Sequence, residues 1–369
     1  MKKILLIVMC SIISILTHSQ KKTSTFRDTI DNAIDLSKFL TEKKGVLPIP
    51  TIITEPAVGL GAGLAIGYFH GSILETGNIP DITVAFGGFT DNGTWFGGMA
   101  HKGYWKQDRI RYTGLLAKSY INIDYYGPNN VLDDPIEMNL DTWIFLQQIK
   151  FRFKQSDFFV GARYFLYDGI NTLELPIDLP EYTGSEFSST LSEVSLMVDY
   201  DTRDNVFSPS KGFYAHVAGT YSDEWLGGPD LYGRLKGVLL GFGELSEKAT
   251  VGVRIETLYA SENTPFWAIP SITMRGVPAA KFQGNNVNVL EAQLNYKLNY
   301  RWEMVGFTGI GTTAPVGDGW LETSQSVRTV GAGVRYMMAR VFGLNAGMDL
   351  AWSADDFGFY FVVGHAWAR

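Results

Sequence analysis

The sequence predicts an all-β chain, a transmembrane antiparallel β-barrel of about sixteen strands. Hydrophobic residues make up 46% of the chain, yet beyond residue 20 no apolar run reaches the roughly 18 residues that span a bilayer as a helix. From about Pro56 the chain repeats segments of roughly ten alternating residues closed by turns, the pattern of membrane strands. The connections alternate between short and long, as turns on one side of a membrane and loops on the other should.

The first twenty residues read as a signal peptide: Lys2 and Lys3, an apolar stretch from Ile4 to Leu16, then Thr17, His18 and Ser19, with cleavage expected near Ser19 or Gln20. Cys10 is the single cysteine and lies inside that stretch, after Met9 rather than a small residue, so a lipoprotein signal is not expected. A mature chain without thiols excludes disulfides, thiolate metal sites and cysteine nucleophiles. The 31 basic residues less Lys2 and Lys3 leave 29 against 38 acidic ones, a net charge that argues against a nucleic-acid partner. Residues 21–45 are polar, with one or two amphipathic turns between Ile30 and Leu40, and read as a short periplasmic tail or plug. The barrel is expected over 46–369.

Individual strands can be checked for alternation. In 289–300, Leu290, Ala292, Leu294, Tyr296, Leu298 and Tyr300 oppose Glu291, Gln293, Asn295, Lys297 and Asn299. In 342–352, an apolar row of Phe342, Leu344, Ala346, Met348, Leu350 and Trp352 opposes Gly343, Asn345, Gly347, Asp349 and Ala351, beginning and ending on an aromatic as an interface-to-interface strand does. Segment 142–153 sets Trp143, Phe145, Ile149 and Phe151 against Lys150 and Arg152, and 158–167 sets Phe158, Val160 and Leu166 against Gly161 and Arg163. Further runs occupy about 56–70, 81–90, 94–105, 109–122, 190–202, 212–222, 231–243, 249–260, 303–311, 326–338 and 357–367. In the last, Phe357, Phe359, Phe361, Val363 and Trp367 are expected to face lipid. A short strand inferred within 46–55 brings the tally to about sixteen, the even number that bacterial barrels need. Counting back from the C-terminus puts 123–140, 169–189 and 261–286 outside and the turns near 154–157, 203–211 and 244–248 inside.

Two motifs stand out against this repeat. Tyr200-Asp201-Thr202-Arg203-Asp204-Asn205, continuing through Pro209, Ser210, Lys211 and Gly212, resembles the periplasmic turn of the bacterial surface antigen family, the BamA/TamA type of barrel. Met274-Arg275-Gly276-Val277-Pro278 resembles the Arg-Gly tip of that family's long inward-folding extracellular loop. The likeness continues through Glu291, Arg301 to Glu303, Val305 to Gly311, Val330 to Tyr336 and the entry Pro48 to Gly63, and so over nearly the whole mature chain. It implies that Arg275 packs inside the barrel, where a buried guanidinium needs an acidic partner. Glu291, Glu303, Glu256 and Asp349 are the candidates, because the position at which the family usually supplies an aspartate is here Gly309. The family's assembly members carry periplasmic POTRA domains; 21–45 is too short for one, so a POTRA-less, accessory member is expected.

Enzymatic chemistry is not expected. His70, His101, His216 and His365 have no metal-ligand spacing, and His216 with Ser208 or Ser210 is the only serine-histidine pair that can be constructed. Asp199, Asp201 and Asp204 read as turn carboxylates rather than a calcium site, and Gly59 to Gly63 as lumenal packing rather than a phosphate loop. No cofactor and no metal are expected. The resemblance implies an integral protein of a Gram-negative outer membrane, in contact with its lipid and lipopolysaccharide. Its role would be assisting protein or lipid assembly or translocation beside an assembly or surface-protein partner. The alternatives are a passive porin-like channel, with selectivity from lumenal Lys150, Arg163, Arg254, Arg335 and Glu256, and an outer-membrane phospholipase.

Overall fold

The computed structural model describes residues 26–42, 45–71, 81–127, 135–174, 185–315, 323–354 and 356–367. Among these, sixteen strands form one sheet in sequence order, every neighbouring pair antiparallel. The first wall comprises β1 (Gly45–Ile53), β2 (Gly61–Phe69), β3 (Ile82–Thr90) and β4 (Trp95–Trp105). The tall wall comprises β5 (Ile110–Tyr125), β6 (Ile136–Arg152), β7 (Phe158–Glu174) and β8 (Ser185–Asp201). The third comprises β9 (Gly212–Ser222), β10 (Tyr232–Ser246), β11 (Ala249–Ala260) and β12 (Asn286–Lys297). The barrel ends with β13 (Trp302–Ala314), β14 (Gln325–Ala339), β15 (Leu344–Trp352) and β16 (Phe357–Val363).

Alternation places one face of each strand on lipid and the other in the lumen. On β12, Leu290 and Leu294 are 48% and 43% exposed, whereas Glu291 and Gln293 between them are 2% and 1% exposed. The polar row is therefore the interior. The expected inside turns and outside loops lie at opposite ends of the sheet, with the 261–285 connection on the outside.

Strands β6, β7 and β8 each run to 17 residues, well beyond the roughly 9–11 that cross a bilayer, so among the described residues the flanks of the expected loops 123–140 and 169–189 are strand. Outside hydrocarbon nothing demands an apolar outer row, and the alternation fades while the hydrogen-bond ladder continues. There Asp141 pairs with Lys118, and Asp168 accepts from Thr190 Oγ1 at 2.7 Å.

The C-terminus also departs from expectation. β16 stops at Val363, and Gly364, in a left-handed conformation at φ +78°, turns the chain inward. Trp367 is buried against Val238, Leu240 and Phe242 in the lumen instead of facing lipid. Ala368 and Arg369 lie outside the described residues.

Residues 26–42 do not plug the lumen. They form a bridged loop, Arg27 opposite Ile34, and a short helix α1 (Ser37–Glu42), docked on the periplasmic rim. Leu36 N–H donates to Met338 O at 2.7 Å and Tyr336 Oη to Ile34 O at 2.9 Å. Arg301, in the turn between β12 and β13, donates from Nε to Asp31 at 2.6 Å, from Nη1 to Asp35 at 2.6 Å, and from Nη2 to Asp28. Arg340, in the turn between β14 and β15, adds a second bond to Asp28 at 2.8 Å.

These bonds set the titration of the rim. The Arg340 guanidinium holds Asp28 below the usual carboxylate range, and Arg301 lowers Asp31 to about 2. For Asp35, burial pushes upward but the bonds from Arg301 and Ser37 outweigh it, and the net shift is downward. Carboxylates with lowered folded values stabilise docking fully above their unfolded value, near 3.8, and lose that contribution as pH falls through the folded one. The segment is therefore expected to stay docked at pH 5 and to release as pH approaches about 2. Amide exchange at Leu36 and Leu40, with circular dichroism confirming an intact barrel, measures this; release already complete at pH 5 would contradict it.

Candidate functional site

The connection from β11 to β12 folds into the barrel. Its two arms pair with each other, Ile272 N–H to Phe282 O at 2.9 Å and Gly284 N–H to Pro270 O at 3.1 Å. Ile272, Met274 and Val277 pack on Val287, Val289 and Val327 of the wall, and each such burial contributes about 1.5–3 kcal/mol. Apolar packing thus seats the loop. Charge fixes its tip.

Arg275 is buried, and its Nη1 donates to Asp349 Oδ2 at 2.6 Å and its Nη2 to Gln293 Oε1 at 2.9 Å. Its guanidinium carbon lies 3.5 Å from the Phe307 ring centroid, a cation–π contact in a desolvated place. Asp349 also accepts from Arg335 at 2.6 and 2.9 Å, so one carboxylate on β15 serves two cations. Of the four candidate partners, the other three do not reach Arg275. Glu291 and Glu256 both bind Arg254, which in turn donates to the loop carbonyl of Thr273 at 3.0 Å. Glu303 accepts from Asn295 at 3.4 Å. Arg254, Arg275 and Arg335 therefore face Glu256, Glu291 and Asp349, three guanidiniums against three carboxylates.

Glycines make the room. A Cβ on Gly333 would lie 1.9 Å from Asp349 Oδ1. On Gly309 it would meet Glu291 Cγ at 2.8 Å and Met274 Sδ at 3.1 Å, so the missing aspartate is the space into which Glu291 and the loop methionine fit. Gly276, at φ +87°, lies close to the backbone of Ala351 and Trp352 and donates from its N–H to Tyr360 Oη at 2.8 Å.

The outer shoulder of the loop reaches both ends of the sheet. Lys281 Nζ bonds Asp356 at 2.8 Å beside β16, and Ala279 N–H reaches Glu55 Oε1 at 3.3 Å between β1 and β2. Between those ends the barrel is not zipped: among the described residues β1 pairs with β2, β16 with β15, and the two edges share no ladder. A sixteen-strand wall, an inward loop locked by an arginine and an unpaired edge are now assembled. Residues 146–367 match the family model for the Omp85 superfamily domain. The chain belongs to the Omp85 superfamily.

Solved structures agree at the level of fold. BamA from Haemophilus ducreyi lacking POTRA domains 1–3 superposes with a TM-score of 0.58 at 10% identity, over 88% of this chain and 70% of that one. CdiB from Escherichia coli gives 0.57 at 11% identity, over 88% and 63%, and CdiB from Acinetobacter baumannii 0.54 at 9%, over 86% and 59%. No curated protein sequence matches the chain. Membership of the superfamily, with an apolar outer belt, supports location in a Gram-negative outer membrane.

The turn motif of this Omp85 barrel is an internally satisfied knot. Arg203 makes a two-pronged contact with Asp201 at 2.8 and 2.9 Å and stacks over Tyr214. Asp204 accepts from the backbone of Ser210 and Lys211 at 2.9 and 3.1 Å, Pro209 precedes them, and Gly212 at φ +100° passes close to Thr202 O. Lumenal Lys150 and His216 share Asp199. Ser210 Oγ is committed to Asp204 and Glu244, and so it does not meet His216. Arg163 reaches Ser195 Oγ at 3.3 Å and has no carboxylate partner among the described residues. On the outer face His70 and His101 flank the Thr83 hydroxyl at 2.7 and 2.8 Å, while His365 contacts Gln293 in the lumen.

Sequence reasoning named Arg275 and Asp349 but not Gln293, Phe307 or Tyr360. The available signal was Gly333, the cross-strand neighbour of Asp349, which leaves space for a carboxylate. Removing that charge tests the cluster. Asp349→Asn leaves two buried guanidiniums without a counter-charge and should cost about 3–5 kcal/mol, lowering the temperature at which heat-modifiable electrophoretic mobility is lost. Glu303→Gln should leave that temperature unchanged.

Proposed function

We propose that this Omp85 barrel assists protein or lipid assembly or translocation at the outer membrane, beside a membrane or surface-protein partner and not as an open pore or an enzyme. The observation that carries the reading is the combination of a lumen closed by an ion-paired loop with two strand edges left unpaired. A pore needs a continuous aqueous path, and the loop folds into this one and is pinned there through Arg275. An assembly or translocation barrel needs a place where the wall can part, and the β1–β16 edge supplies it. Outer-membrane lipid, including lipopolysaccharide, is the environment against which the outer row of strands packs.

The porin-like reading draws on one feature. A cavity of about 470 Å³ on the periplasmic side is lined by Lys102, Arg111, Lys150, Arg163, Lys236 and Arg254. Its three carboxylates, Asp108, Asp199 and Asp201, pair with the lining cations Arg111, Lys150 and Arg203, which leaves cations in excess along the lining. An unplugged lumen would therefore favour anions. Planar-bilayer recording separates the readings: the wild type should be nearly silent and Arg275→Ala should open anion-preferring currents. Steady large openings of the wild type would overturn the assembly reading in favour of a channel.

A further inference from the structure

We propose that residues 26–42 are an ionic clasp that holds the β1 lip in place across an edge that backbone hydrogen bonds cannot fully close. The inference rests on the seam being the working opening, as read above, and adds how that opening is controlled.

Strand β1 carries two prolines, Pro48 and Pro50. The register from Gly45 opposite Phe69 to Ile53 opposite Gly61 is unbroken, so alternate residues of β1 must exchange bonds with β2. Pro48 and Pro50 have no N–H, which assigns that exchange to Leu47, Ile49 and Thr51. Val46, Pro48, Pro50 and Ile52 therefore turn their backbones to the free edge, and two of those four positions lack a donor. Proline is tolerated in sheets where its nitrogen faces no partner. This edge is built not to pair.

β16 is the opposite. Gly364 N–H donates to Asn345 O at 2.6 Å and Ser353 N–H to Asp356 O at 2.9 Å, which fixes the parity of the intervening pairs. Phe357, Phe359, Phe361 and Val363 then present complete backbones to the seam, and β1 cannot answer all of their carbonyls. Unmet backbone groups are costly in hydrocarbon, so the lips need another hold.

The chain path supplies one. Asp28, Asp31 and Asp35 grip Arg301 and Arg340, in turns that lie beyond β16 on the far side of the seam from β1. Ser37 Oγ accepts from Val341 N–H at 2.9 Å, and α1 packs on the 3-10 turn Arg340–Phe342. α1 ends at Glu42 and β1 begins at Gly45, so the segment must pass the periplasmic end of the seam. The loop contacts of Lys281 and Ala279 span its extracellular end. Each end of the unpaired edge is bridged by charge.

Disulfide trapping in the full chain tests the clasp. Val46→Cys and Val363→Cys place thiols on the outer face of the two lips, in a Cys10→Ser background. With Arg301 intact, oxidation should cross-link them readily. Arg301→Ala should lower the yield severalfold while heat-modifiable mobility persists, and Arg301→Lys should recover part of it. Asp28→Asn with Asp31→Asn and Asp35→Asn, which leaves the barrel wall untouched, should act like Arg301→Ala and serves if that variant does not fold. Adding Pro48→Val and Pro50→Val should restore the yield by letting the edges pair. A yield indifferent to both Arg301→Ala and the triple aspartate change overturns the clasp, whatever the assembly activity. Cross-linking that follows Arg301 in a protein that conducts steadily would instead overturn the proposed function and leave the clasp standing.

Discussion

A polypeptide in hydrocarbon must satisfy every backbone N–H and C=O from within, and this demand shapes the whole molecule. Fourteen internal strands meet it with a ladder on each side; β1 and β16 meet it on one side only. The shortfall is kept small. β16 has 7 residues and β1 has 9, against 16 or 17 in β5 to β8. Short edges and edge prolines are the usual means of limiting an unpaired strand, and the tall part of the wall is placed where pairing is complete.

The two ionic clusters work under different physics. In the lumen, Arg275 and Arg335 share Asp349, and removing that one carboxylate strands two guanidiniums away from water. At the rim, Arg301, Asp28 and Asp35 are also buried and only Asp31 is part-exposed, but the cluster joins the N-terminal segment to two turns instead of anchoring a loop inside the lumen. The loop is held from inside the barrel, whereas the N-terminal segment is held at the rim, outside the sheet.

Most of the barrel was legible because lipid enforces a period of two on every strand that crosses it. Leu290, Leu294 and Tyr296 announce their face, and the inward loop was legible from its Arg-Gly tip. Legibility ended where that enforcement ended. The outer reaches of β6 to β8 carry Asp141 and Asp168 on the lipid side of the sheet, and their strands look like loops in sequence. Trp367 continues the apolar parity of β16, yet one left-handed glycine at 364 turns it into the lumen. The partner of Arg275 depended on which lumenal carboxylates Arg254 had already taken, a matter of three-dimensional competition. Asp28, Asp31 and Asp35 did not stand out in the polar N-terminal stretch, because their partner Arg301 is some 270 residues away in the chain.

The unequal strength of the two fastenings gives the seam a direction. At its extracellular end the loop is tied to β16 through Gly276 and Tyr360 and through Lys281 and Asp356, and its tip is anchored in the buried cluster. At its periplasmic end the hold is the aspartate clasp, reinforced by the Leu36 N–H donating to Met338 O and by the Tyr336 hydroxyl donating to Ile34 O. A wall tied at one end through a loop anchored in the lumen, and at the other through a short terminal segment, would part first at the end with fewer ties. Opening would then begin at the periplasmic leaflet, with β1 swinging as the free lip because its prolines give it the least to lose. β16, with its complete row of donors and acceptors, would remain as the edge that an incoming strand could pair with.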